Sequence, residues 1–168
     1  MDAKKYLEDQ IQSMWHLQDA ALSDLTDAQL TFQPEGTVSP IGVIWLHMIF
    51  SEDSFIAILM KQPTLWESGS WKEKFNLDGA PDFGEDWTAY RDVPFTVDLL
   101  QSYTQAVRER TKACLEATDA STLDETLKFF SDSDPKAAVW ILLSQHSLLH
   151  SGEISALKGI QGVKGLPF

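Results

Sequence analysis

The sequence predicts an all-α fold, a four-helix bundle with long helix 1–2 and helix 2–3 connections. Three observations lead there. Apolar residues recur at helical spacing in four separate windows, 2–22, 40–61, 96–117 and 135–158, each with a cap or a proline at one end. No stretch alternates apolar and polar residues convincingly enough for a strand. The chain has 168 residues, 43% of them hydrophobic, which suits one domain over 1–168 with a core of its own.

The first helix runs from Asp2 to about Leu22. Tyr6, Met14, Leu17 and Ala21 mark one face, and Ile11, Trp15, Gln18 and Leu22 an adjoining stripe, so its apolar arc is wide. His16 reads as a surface histidine. Thr26 caps a short turn over Asp27 to Leu30, and Pro34, Glu35 and Gly36 mark a loop. Ser39 then caps the second long helix, with Pro40 at its first position, where a missing N–H costs nothing. This helix runs to about Lys61, ahead of Pro63. Ile44, His47, Met48, Ser51, Phe55, Ile58 and Leu59 follow its inner face. Its apolar run, Ile41 to Phe50, is followed by Glu52 and Asp53 and is too short to span a bilayer.

From Gln62 to Pro94 the periodicity breaks. Trp66, Trp71, Phe75, Phe83 and Trp87 are scattered among glycine, proline and aspartate. A connection this long is functional or disordered, and its aromatics argue against disorder. It is expected to fold over the end of the bundle and to supply a pocket wall. Thr96 caps the third helix, with Leu99, Leu100, Tyr103, Ala106, Val107, Cys114 and Leu115 inside and Arg108, Glu109, Arg110 and Lys112 as a mostly solvated face. Cys114 reads as a small packed core residue. Residues 119–132 form a linker, with a helical turn near Leu123 to Leu127.

Asp134 as N-cap and Pro135 at the first position open the last helix, and Gly159 stops it after Lys158. Val139, Leu142, Leu143, Leu149, Ile154 and Leu157 form its stripe. His146 and His150 lie on that stripe, four apart, with Glu153 a turn on. The tail, with Val163, Leu166 and Phe168, is expected to lie back on the body.

The formal net charge is −12, with only three arginines. Such a surface repels phosphate backbones and anionic membranes, which speaks against a nucleic-acid or membrane role. Cys114 is the only cysteine, so no intrachain disulfide forms, which fits a reducing compartment. The N-terminus lacks a signal-peptide h-region, and a cytoplasmic protein is expected.

Buried imidazoles need partners. Two at i, i+4 can bite one divalent ion, and the alternative is a pair of core histidines bonded to carbonyls, hydroxyls or water. Ser147 follows His146, so this is not the HExxH of a zinc protease. His47 on the second helix is a third interior histidine, and bundle cores hold metals between facing helices. Each ligand must be deprotonated, so binding competes with as many as three protons below about pH 6, a competition that burial softens.

The stretches LTDAQLTFQPEGTVSPIGVIWLHM, LWESGSWKEKF and HSLLHSGEI, in that order, resemble the DinB/YfiT-like superfamily over nearly the whole chain. The resemblance implies a four-helix bundle with a metal triad of His47, His146 and His150 holding Zn or Ni. It also implies a small-molecule substrate and, as in several relatives, thiol-dependent transfer or isomerisation with mycothiol, bacillithiol or glutathione. Ser151 stands where many members have Arg, and Glu153 where many have Gln. Three functions stay open: a thiol S-transferase, a metal-assisted hydrolase, and a non-catalytic metal or ligand binder. In the first, Glu153 is a candidate general base or partner of a ligand imidazole, and equally a plain helix carboxylate. A homodimer also stays open.

Overall fold

Asp2 starts the first helix by accepting a hydrogen bond from the Lys5 amide at 2.8 Å, and α1 (Ala3–Leu22) follows. The computed structural model describes residues 2–81, 87–90 and 92–166. Phe83, Phe168 and the side chain of Trp87, all named above, lie outside the described residues. Thr26 and Gln29 cap α2 (Asp27–Thr31) reciprocally, each side chain bonding the other's backbone N–H.

The entry to α3 (Ile41–Met60) is one residue later than the sequence suggests. Pro40, with φ −58° and ψ 153°, is itself the cap, and Ser39 is buried without capping. The fixed φ of the proline sets the chain's entry angle, so no side-chain cap is needed. The helix closes at Lys61, which takes a left-handed φ of 52°, while the Gln62 amide reaches back to the Ala57 carbonyl at 3.0 Å. α3 is long and apolar enough to cross a membrane by length and composition alone. Its apolar surface is instead taken up by α6 (Val97–Ala117) on one side and α7 (Lys136–Ile160) on the other. At Gly42 a Cβ would come within 2.6 Å of the Phe95 ring, so this glycine permits a close approach.

The segment after α3 holds two single-turn helices, α4 (Leu65–Ser68) and α5 (Trp71–Lys74), and a 3-10 turn at Trp87–Tyr90. Thr96 caps α6 (Val97–Ala117) as expected, and Asp27 accepts from the Val97 amide at 2.8 Å, tying α2 to α6.

The linker to the last helix departs from expectation. The helical turn sits earlier, at Ala120–Thr122. Residues of the expected turn instead form β1 (Thr126–Leu127), antiparallel to β2 (Asp134–Pro135). Asp134 is therefore not an N-cap. Its carboxylate accepts from the Ser131 amide at 2.6 Å and closes the hairpin turn, and Pro135 takes the cap position of α7 (Lys136–Ile160). α7 runs through Gly159. Its stop is Gly162, at φ 75°, with the Val163 amide on the Lys158 carbonyl at 2.9 Å and the Gly162 amide on the Gly159 carbonyl at 3.0 Å. Leu149, placed on the inner stripe above, is 74% exposed.

α7 packs against α1 as well as α3. Lys158 is buried at that contact, with Nζ on the carbonyls of Ala21 (3.1 Å) and Ser23 (2.8 Å), so a cation satisfies the C-terminal end of α1. Apart from the short hairpin the described residues are all-α.

Candidate metal centre

α3 and α7 lie side by side, and their facing histidines meet. His146 and His150 are one turn apart on α7, so their rings point the same way. His47 comes across from α3. Nε2 of His146 lies 2.8 Å from Nε2 of His47 and 3.2 Å from Nε2 of His150. One ligand atom from each of the three falls within 4.8 Å of the others. His16, in contrast, is exposed on α1.

Proton bookkeeping shows how unusual this meeting is. Nδ1 of His150 lies 2.9 Å from the Glu153 carboxylate, which can only accept. That places a proton on Nδ1 of His150, so that in the neutral ring Nε2 carries the lone pair. His146 Nε2 then faces two other ring nitrogens with at most one N–H to offer. Hydrogen bonds among the three rings need a proton at the centre, whereas one cation there would take a lone pair from each. The spacing fits: bonds of about 2.0–2.1 Å put nitrogens about 3.3 Å apart at tetrahedral angles and about 2.9 Å apart at right angles.

Electrostatics keep the lone pairs available. Burial, and then the neighbouring His146 and His150 rings, lower the pKa of His47 to about 3. Burial and His150 lower that of His146 to about 4. At neutral pH both rings are uncharged, as ligation requires.

The aromatic wall beside this centre has an unexpected source. Trp66, Trp71 and Phe75, expected at the pocket, are buried around Tyr103 of α6, with ring centroids 5.7, 4.8 and 5.9 Å from it. Among the described residues their ring contacts are with Phe50, Phe95, Tyr103 and each other, and they serve as core. The ring edge-on to His146 is Phe55 of α3, at 6.0 Å, and Phe129 of the hairpin packs on Phe55 at 5.6 Å.

The sequence reading also missed a second polar centre, between α3 and α6. Asp53 is fully buried and accepts four hydrogen bonds: from the amides of Leu65 (2.9 Å) and Trp66 (3.0 Å), from the Tyr103 hydroxyl (2.8 Å) and from Arg110 (3.2 Å). Arg110 is therefore not on a solvated face; its side chain is 10% exposed. Arg108 is also drawn inward, to Gln18 at 2.8 Å and Asp19 at 2.6 Å. Glu52, beside Asp53, is buried with one oxygen on Thr111 at 2.7 Å, and burial pushes its pKa up. Cys114 is buried and its thiol pKa is raised, chiefly by burial, as suits a packed residue.

A family model described as the DinB superfamily matches residues 10–154. A solved structure of a conserved protein from Enterococcus faecalis superposes with a TM-score of 0.79, covering 96% of this chain and 99% of that one. The two are 22% identical, so the likeness is one of fold. No curated protein matches the chain.

Proposed function

The chain belongs to the DinB superfamily, and from that premise we propose that it is a divalent-metal-dependent enzyme acting on a small molecule. We read its four long helices as one four-helix-bundle domain. His47, His146 and His150 are the ligands, and Zn or Ni suits an all-imidazole set. The observation that supports this most is the convergence of one ring nitrogen from each of the three histidines within 4.8 Å of one another.

A protein triad leaves coordination positions free, as catalytic sites do and closed structural sites do not. A metal there supplies Lewis acidity, which favours the thiolate form of a bound thiol at neutral pH. The chain's own groups do the rest. His47 and His146 stay uncharged at neutral pH, so each ring has a lone pair to offer. Glu153 holds the His150 ring by Nδ1 and so aims its Nε2 at the other two. With that bond made, Glu153 acts more directly on the ring than on substrate. We therefore read it as a positioning residue, although its side chain is exposed enough to take a proton from an incoming thiol. The reaction class that fits best is transfer of a low-molecular-weight thiol to an electrophile.

Metal analysis of untagged protein tests the ligand set: stoichiometric metal in wild type and none in His146→Ala is expected. Turnover of electrophiles with and without added thiol tests the reaction. Thiol-dependent turnover is expected, and thiol-independent hydrolysis would replace transfer with metal-assisted attack by water.

A further inference from the structure

We propose that Phe55, Phe129 and Phe130 form a subsite for a planar, uncharged aromatic group on the substrate, making aryl-bearing electrophiles the preferred class. This rests on the metal reading above and narrows it.

The three rings make a continuous row that begins at a metal ligand. Phe55 stands edge-on to His146 at 6.0 Å and 82°, Phe129 edge-on to Phe55 at 5.6 Å and 88°, and Phe130 against Phe129 at 4.5 Å. Phe55 and Phe129 are half-buried and can be explained as shielding for the imidazoles. Phe130 cannot, because it is 81% exposed. An exposed phenylalanine leaves a large apolar surface in water and contributes little to the core.

Nor is Phe130 on a loose tip. The hairpin beneath it is pinned by the β1–β2 pairing, by the Phe129 amide on the Ser131 carbonyl (3.0 Å) and by the Ser131 amide on Asp134 (2.6 Å). At its base Lys136 bonds Glu125 through both its amide (2.9 Å) and its ammonium (2.6 Å). Side chains held by such supports are suited to binding, since little order remains to be imposed.

The chemistry of the row selects the ligand. Ring edges and faces at these angles accept another aromatic ring in offset or edge-to-face contact. The charges flanking the tip, Lys128 and Asp132, pair with each other at 3.5 Å, so neither is dedicated to an ionic ligand. An aryl group joined by a short linker to the atom reacting at the metal would lie along Phe55 and Phe129 and under Phe130.

The test uses Co(II)-loaded protein, whose visible absorption responds to ligands entering the open position, titrated with imidazole and with 4-phenylimidazole. Wild type should bind the phenyl compound roughly tenfold more tightly. Phe130→Ala and Phe129→Ala should remove most of that advantage while holding imidazole affinity within about twofold. Phe55→Leu, which keeps an apolar side chain in place, should reduce it as well. Equal affinities in wild type, or an advantage unchanged in Phe129→Ala and Phe130→Ala, would overturn the subsite and leave the metal reading intact. If wild type gives no Co(II) spectrum that His146→Ala abolishes, the metal reading itself fails and the subsite with it.

Discussion

α3 sends polar side chains into both of its seams, and the two seams treat them differently. Towards α6, Asp53 meets four donors, about as many as a carboxylate has sites for, and its charge is matched by Arg110. Towards α7, His47 meets two more imidazoles, and one ring nitrogen from each gathers within 4.8 Å of the others. Both centres are polar and inside the protein. The first is closed by the chain itself, and the second, on the function proposed above, is completed by a metal ion. Convergence of like ligand atoms, more than burial, separates a site for a ligand from a strut.

The comparison breaks most visibly at the closed centre. Asp53→Ala would orphan a guanidinium, a phenol and two backbone amides together. A loss of about 3–5 kcal/mol in chemical denaturation is expected; a loss near zero would mean the centre is not closed at all. His146→Ala should behave in the opposite way. The metal-free protein should change by no more than about 1–2 kcal/mol, because the ring is half-buried and uncharged and its loss orphans no charged partner. The melting-temperature gain with Zn or Ni, worth about 4 kcal/mol at a thousandfold excess over Kd, should vanish.

pH sharpens the contrast. His47 and His146 hold fewer protons folded, with pKa values of about 3 and about 4, than unfolded, where histidine titrates near 6.5. Their contribution is complete above pH 6.5 and is lost as pH falls through about 4 for His146 and about 3 for His47, because the unfolded chain takes up protons that the folded one refuses. Denaturation of metal-free protein across this window should show falling stability in wild type and a flatter profile in His47→Ala. Metal binding should also survive to lower pH than free imidazoles would allow. The smallest effect is expected for Glu153→Gln, which keeps the shape but weakens the grip on His150. Metal affinity should fall about 10–100-fold, read by competition with a chelator, with folding unchanged.

Much of this was legible in the sequence. The four long helices carry strong periodicity, and each of their four starts lies at a capping residue or a proline. His146 and His150 announce themselves by spacing, and His47 by its place on an apolar face. Asp53 and Arg110 do not. Each looks like the polar margin of its own helix, and their pairing joins residues 57 apart in the chain. Phe129 and Phe130 were hidden by the strands around them: two residues are too few to alternate, and Asp134-Pro135 imitates a helix start. Trp66 and Trp71 were noticed and given the wrong task, because an aromatic cluster in a connection looks alike whether it faces a ligand or a core.

The Asp53 carboxylate has one more effect, on exchange with solvent. α4 is a single turn of four residues, which by itself would open freely and give up its amide hydrogens within moments. Yet the amides of Leu65 and Trp66 donate to a side chain rooted in the middle of α3. Their hydrogens can be replaced by deuterium only when those two bonds break and the segment lifts off Asp53. Two positions in a connecting segment should thus exchange more slowly than a free turn of four residues would.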